Sequence, residues 1–176
     1  MRASHVALAF CLALTLPSVA FAQGTVAPLA ESLTGESRQA YDAGKLLFED
    51  GDAAGAITKF KRAYELSKEP RLLWNMAVCE KELRHYASSA RLVARYLNEG
   101  GERLTAENRS NAEATRQALR GFYSELTLKQ LPAGARVSVD DISVATAPIS
   151  EPIPVDLGKR RVRVELAGYD VYERAI

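Results

Sequence analysis

The chain is poor in the residues that carry most enzyme chemistry and most covalent cross-links. Its 176 residues include only 2 Cys, 2 His, 2 Met and 1 Trp. Two cysteines exclude a disulfide-dense scaffold, and two histidines leave no plausible zinc site. Charge of either sign is also missing in excess, with 23 Lys+Arg against 22 Asp+Glu. Such a balance excludes the cationic surplus of a nucleic-acid binder and the acidic surplus of a disordered tail. No Ser nucleophile motif, glycine-rich phosphate loop or His/carboxylate array occurs, so no catalysis, cofactor or bound metal is expected. What is present is ordinary globular material: 47% hydrophobic and 26% charged residues, enough for one or two small cores.

The apolar run nearest the start is short. Met1 to Ala22 begins with Arg2, continues through Val6 to Leu16, turns at Pro17 and ends in Ala20-Phe21-Ala22. A basic start, a short apolar stretch and small residues before a cut make a secretory signal peptide over residues 1–22, cleaved after Ala22. The run is about half the length needed to span hydrocarbon as a helix, so no transmembrane anchor is expected after cleavage. Cys11 lies inside the apolar stretch behind Phe10, the wrong place for a lipid attachment signal. Cleavage removes Arg2, Cys11 and one of the two histidines, leaving 22 basic and 22 acidic residues, hence zero net charge, and a single thiol, Cys79. No intramolecular disulfide can then form, and Cys79 reads as a small buried hydrophobe in an apolar helix. Export implies a periplasmic or cell-surface location, and with zero net charge no nucleic-acid partner is expected.

Residues 23–36, rich in small residues with Pro28 and Gly24 and Gly35, read as a flexible leader. Beyond it, over residues 37–121, the sequence repeats at an interval of 34 residues: Ala43 recurs as Ala77, Ala56 as Ala90, and Ala40 is replaced by Trp74. Ala40, Ala43, Gly44 and Leu47 fall on the inner side of a first helix, and Ala56, Phe60 and Ala63 on the second helix that meets it. Small residues let two helices approach, and Phe60 fills the space between them. Asp50-Gly51-Asp52 supplies the turn, with Asp52 as N-cap of a helix to about Ser67. In the second unit Ala90, Val93, Ala94 and Leu97 form a helical stripe, ended by Asn98-Glu99-Gly100-Gly101. Thr105 caps a further helix to about Arg120, with Ala112, Thr115, Leu119 and Phe122 on one face, which shields the open end of the stack.

The interval, together with the Ala-x3-Phe spacing at Ala56 and Phe60, resembles the tetratricopeptide repeat, a pair of antiparallel helices. The second unit departs from that pattern, with Ala94 for the expected Phe and Pro70 about two positions late. In such a repeat, the first-helix residues facing away from the second helix line a concave binding face. Here those are Arg38, Tyr41, Lys45, Phe48 and Glu49, then Leu72, Asn75, Cys79, Glu82 and Leu83. Arg38, Tyr41, Lys45, Phe48, Asn75 and Glu82 are the residues expected to form a partner-binding groove, where cations and an amide hold a peptide carboxylate and aromatic groups pack its side chains. Trp74 and Tyr64 sit at pattern positions that make them core.

After Gly121 the hydrophobic period shortens to two. Leu126 and Leu128, Val137 and Val139, and Val162, Val164 and Leu166 alternate with polar residues between Pro, Gly and Asp clusters, which predicts a small all-β module over residues 122–176. Pro132-Ala133-Gly134-Ala135, Val137 to Asp140, Thr146 to Pro148, Gly158 before a basic strand, and Gly168-Tyr169 follow one another in an order that resembles the PEGA domain. Ala133 stands where that tetrapeptide has Glu, and Asp141 where a hairpin glycine is usual. The cluster Lys159, Arg160, Arg161 and Arg163 reads as a solvated sheet face, since Arg161, Arg163 and Glu165 alternate with Val162 and Val164. A last strand is expected at Tyr169 to Ala175, leaving the sheet incomplete with an exposed edge.

The fold class is therefore α+β: tetratricopeptide-like hairpins with a capping helix, then a small β-sandwich. The order of signal peptide, repeat units and PEGA-like module resembles envelope proteins of bacteria. That resemblance implies a non-enzymatic adaptor that holds a protein or peptide partner in the groove. The alternative is a module in which the β domain binds cell-wall polysaccharide.

Overall fold

The structure is a computed structural model and describes residues 26–176. The expected signal peptide, residues 1–22, lies outside the described residues. Five α-helices precede two small antiparallel sheets, an α+β architecture. No helix among the described residues is long and apolar enough to cross a membrane.

Helices α1 (Gly35–Glu49) and α2 (Ala53–Ser67) form the first pair, and α3 (Leu72–Glu82) and α4 (Tyr86–Gly100) the second. The turn at Asp50 to Asp52 closes as the sequence predicts: Asp52 Oδ1 accepts a hydrogen bond from the Gly55 N–H at 2.8 Å, satisfying one of the free donors of the first turn of α2. The small residues explain the closeness of the pair. Ala56 and Ala63 are fully buried and Phe60 nearly so, and a Cβ on Gly44 would lie 2.8 Å from the Phe60 ring. In the second pair the Ser89 hydroxyl donates to Ala77 O at 2.8 Å, tying α4 to α3 where Val93 is completely covered. Gly101, with φ of 50°, terminates α4 in a conformation costly for any other residue. Helix α5 (Ala106–Leu119) is capped by Thr105 Oγ1, which accepts from the Asn108 N–H at 3.1 Å, and it buries Ala112 and Leu119 against the stack.

The segment expected to be a flexible leader is folded from Leu29 onward. Leu29–Ser32 forms a 3-10 turn, Leu33 is 4% exposed, and both leucines join the helical core. The cause is Arg71, buried with Glu69 at 3.0 Å, whose two terminal nitrogens donate to Ala27 O and Ser32 Oγ. A buried guanidinium needs acceptors beyond a single carboxylate, and the leader main chain provides them.

In the β module, β1 (Tyr123–Leu126) pairs with β4 (Ile153–Asp156), and a second sheet runs in the order β3 (Ile142–Thr146), β2 (Arg136–Val139), β5 (Arg161–Glu165), β6 (Tyr172–Ala175). Val137, Val139, Val162, Ile153 and Val155 are buried between the two sheets. The β2–β3 hairpin turns on two residues, with Val139 opposite Ile142 and positive φ at both Asp140 (49°) and Asp141 (67°). Aspartate replaces the usual glycine because its carboxylates are held. Asp140 accepts from the Arg161 N–H at 2.9 Å and from Arg160 at 3.1 Å, while Asp141 pairs with Arg161. The Arg161 backbone bond, ahead of the nearby guanidinium charges, pulls the Asp140 carboxyl below its ordinary range. Arg163 pairs with Glu165 at 2.7 Å, so the basic run is largely a face of paired charges. Strand β6 forms the expected edge, with all four residues exposed.

The two modules meet at α4. Its first turn has no cap from its own side chains. Asp156 of β4 takes that place, its Oδ1 accepting from the Ala87 N–H at 2.7 Å. Arg91, one turn further on, donates to Pro154 O at 2.6 Å and to Ser88 Oγ at 2.8 Å.

Candidate functional site

Side chains of α1 and α3 converge on one hollow of about 180 Å3, lined by Tyr41, Lys45, Phe48, Asn75 and Trp74 with Phe60 of α2 at its floor. Tyr41 and Phe48 are half-buried and packed on the helical core, and the Tyr41 ring lies 6.0 Å from that of Phe60, tilted by 46°. Lys45 is exposed at the rim beside Glu49. An apolar floor with a cation, a carboxylate and an amide at its edge suits an extended chain segment, whose side chain enters the hollow while its polar atoms meet the rim.

Trp74 and Asn75 also border a second hollow of about 240 Å3, whose other walls are Arg71, Tyr96, Thr105 and Asn108 on one side and residues 26–29 on the other. Part of the surface expected to receive a partner is thus covered by the protein's own N-terminal segment. Glu69 and Arg71 anchor that arrangement. Burial raises the Glu69 carboxyl, but hydrogen bonds from the Arg71 side chain and backbone, with the charges of Arg71 and Arg103, outweigh it and leave the group below its ordinary range.

The other predicted groove residues fall elsewhere. Arg38 is engaged by Asp42 at 2.8 Å and by Ala30 O at 2.7 Å, so it tethers the leader and does not line the hollow. Glu82 is exposed at the last turn of α3, away from it. Leu72 and Cys79, placed on the concave face by sequence, are 0% exposed and belong to the core, and Leu83 packs against it. The reason is that α3 is packed by both α2 and α4 and so is apolar almost all round, burying Leu72, Leu73, Met76, Ala77 and Cys79. Burial, followed by the charge of Glu80, pushes the Cys79 thiol up to about 11, which keeps it protonated and unreactive.

Sequence reasoning assigned Trp74 to the core alone. It is half-buried, with its ring 5.5 Å from Tyr96, and its remaining face is shared by both hollows. The signal was present in the replacement of Ala40 by Trp74 across the repeat interval, because a residue that much larger has to project past the helix contact. Tyr64, the other aromatic assigned to core, holds its hydroxyl against Glu99 at 2.8 Å and Arg95 at 2.9 Å on the outer face of the second helices. His85 and Glu80, 2.8 Å apart, form a surface pair at the turn into α4.

Comparisons of the chain with protein-family models, with curated proteins and with solved structures returned no match.

Proposed function

We propose that the chain is an exported, non-enzymatic adaptor of a bacterial envelope, built from two tetratricopeptide-like hairpins, a capping helix and a PEGA-like β module, and that it holds an extended segment of a partner protein on the face formed by α1 and α3. The observation that carries this reading is the joining of Tyr41, Lys45, Phe48 and Asn75 in one hollow, which shares Trp74 and Asn75 with a second hollow walled by the chain's own residues 26–29. That leader is held by the Ala27 carbonyl and the Ser32 hydroxyl accepting from Arg71 and by Leu29 and Leu33 on the helical core, a combination of polar and apolar contacts of the kind by which a partner segment docks.

The test is selection of binding peptides from a displayed random library, followed by affinity measurement on the chain carrying Tyr41→Ala and Lys45→Ala. Lys45 is on the exposed rim and Tyr41 is half-buried against Phe60, so the helical circular dichroism should be retained, with a lowered urea midpoint, while affinity falls by about tenfold or more. Unchanged affinity in a folded double variant places the binding surface elsewhere. Co-sedimentation with purified cell-wall sacculi that survives these substitutions would move the function to the β module.

A further inference from the structure

A hollow of about 810 Å3 lies away from the concave face, between α4, the end of α5 and the loop of residues 147–152 that leads into β4. Four arginines line it: Arg91 and Arg95 on α4, and Arg116 and Arg120 at the end of α5. Only Glu125 and Glu151 oppose them among its lining residues. Facing the arginines is an apolar wall of Pro148, Ile149, Pro152 and Ile153.

The arginines are not all neutralised. Arg91 bonds only the neutral oxygens of Pro154 and Ser88 and has no ion pair among the described residues. Asp156 and Glu80 influence it from further away, against burial that works to depress its pKa. Arg120 has no ion pair and no side-chain hydrogen bond among the described residues, and is exposed. Arg116 meets Glu113 at 3.3 Å within its own helix, an exposed pair that an incoming carboxylate exchanges at little cost, whereas Arg95 is held by Glu99 at 2.8 Å and by the Tyr64 hydroxyl at 2.9 Å and has to share those contacts with a ligand. Arg91 and Arg120 thus lack a carboxylate partner among the described residues, and Arg91 is largely withdrawn from water, so the hollow offers two guanidinium groups that are matched to an anion.

The spacing says more than the charge. Within each pair the arginines are four residues apart, which puts successive guanidinium attachment points about 6 Å apart along a helix. Alternate side chains of an extended peptide are about 6.6 Å apart and point the same way. We propose that this inter-module cleft binds an extended peptide segment with acidic side chains at alternate positions, the carboxylates meeting the arginines and the intervening side chains lying against the Pro148 to Ile153 wall. Guanidinium forks receive carboxylates bidentately, and the volume lies in the range of about 300–1,000 Å3 that buries a ligand of a few residues. The site is separate from the α1/α3 hollow and does not depend on it.

The experiment is fluorescence anisotropy with the full chain and a labelled heptapeptide alternating Ser and Glu, beside a peptide of the same composition with its Glu residues contiguous and one alternating Ser and Lys. Binding of the alternating acidic peptide is expected to be at least about fivefold tighter than that of the contiguous one, to be lost with the Lys peptide, and to weaken with salt. Arg116→Glu with Arg120→Glu, both near the surface, should weaken it by about tenfold or more with an unchanged circular dichroism spectrum, while Tyr41→Ala with Lys45→Ala leaves it intact. Equal binding of the two acidic peptides, equal binding by the charge-reversed chain, or a preference for an acidic polysaccharide such as polygalacturonate over the alternating peptide overturns the proposal. A charge-reversed chain that unfolds is replaced by Arg120→Gln alone, for which an affinity within twofold of the parent also counts against it.

Discussion

Replacing Gly44 with alanine sets helix propensity against packing, and the structure says which should prevail. Gly44 lies within α1, where alanine is intrinsically better by about 1 kcal/mol. The new methyl would lie 2.8 Å from two atoms of the Phe60 ring, closer than carbon atoms approach. Phe60 is 2% exposed and held between the fully covered Ala56 and Ala63, so the ring cannot swing into solvent, and the helices must separate. Overpacking of this kind costs about 1–3 kcal/mol. The difference from the propensity gain is small, so the decisive quantity is the coupling between the two sites. Gly44→Ala should be worse in the parent than in a Phe60→Ala background by about 1–3 kcal/mol, since removing the ring removes the collision and leaves the propensity gain. Phe60→Ala alone should cost about 3–5 kcal/mol as a cavity. The assay is urea unfolding of the four chains, followed by far-ultraviolet circular dichroism so that the helical stack is reported. Zero coupling, or a parent stabilised by the full propensity gain, would show that α1 and α2 do not meet at this pair and that the repeat register is misread.

Asp156→Ala removes the cap of α4 supplied by β4 and should destabilise the chain by about 1 kcal/mol, with faster amide hydrogen exchange at Ala87 and through the first turn; protection unchanged there would refute the capping role. Arg71→Met strands the buried Glu69 and frees the leader, so a loss of about 3–5 kcal/mol and new proteolytic cleavage near Leu29 to Leu33 are expected, checked by urea unfolding and limited proteolysis. Glu69 has a folded-state pKa below its ordinary value, so its contribution is present above the ordinary glutamate pKa and is lost as pH falls through the lowered one; stability measured downward from pH 6 should drop more in the parent than in Glu69→Gln. Cys79, with its thiol at about 11, should resist a thiol reagent at pH 8 in the native chain and react fully in urea; rapid native labelling would mean that the α3 core opens readily.

Local signals and long-range signals were unequally visible in the sequence. The helix pairs were legible because small residues at Ala43, Ala56, Ala63, Ala77 and Ala90 report helix contact directly, and the caps at Asp52 and Thr105 are read from a residue and its own next turn. Strand β4 went unnoticed because Pro152 and Pro154 argue against a strand. Proline is accommodated there because β4 pairs on one side only, with β1, and because the Pro154 carbonyl points to Arg91. The folding of the leader was illegible for a different reason. Its order depends on a buried Glu69–Arg71 pair about 40 residues further along the chain, and on Arg38 reaching back to Ala30. The same blindness put Arg38 in the groove. Tyr41, Lys45, Phe48 and Asn75 line one hollow because they lie on helix faces whose orientation the repeat interval fixes, whereas Leu72 and Cys79 sit on a helix enclosed from more sides than the interval implies.

Helix α4 is the element through which the parts of this molecule communicate. One face is fastened to α3 by Ser89 and Val93, Arg95 reaches Tyr64 on α2, its N-terminus is capped from β4, and Arg91 joins it to the Pro154 carbonyl. The bonds across the module junction are therefore polar and directed at main-chain groups. The apolar part is limited, with Tyr86 against Phe122 at 4.8 Å and Tyr123 against the helical core. Arg91 belongs both to this junction and to the wall of the inter-module cleft, so an anion that draws its guanidinium toward the cleft competes with Pro154 for the same nitrogen. Occupation of the cleft and the Arg91–Pro154 bond are thereby linked through one side chain, so a change that weakens that bond should also change affinity in the cleft. Asp156 acts on Arg91 through its charge and does not line the cleft, so Asp156→Ala should tighten acidic-peptide binding in the anisotropy assay, and an unchanged affinity would refute the coupling.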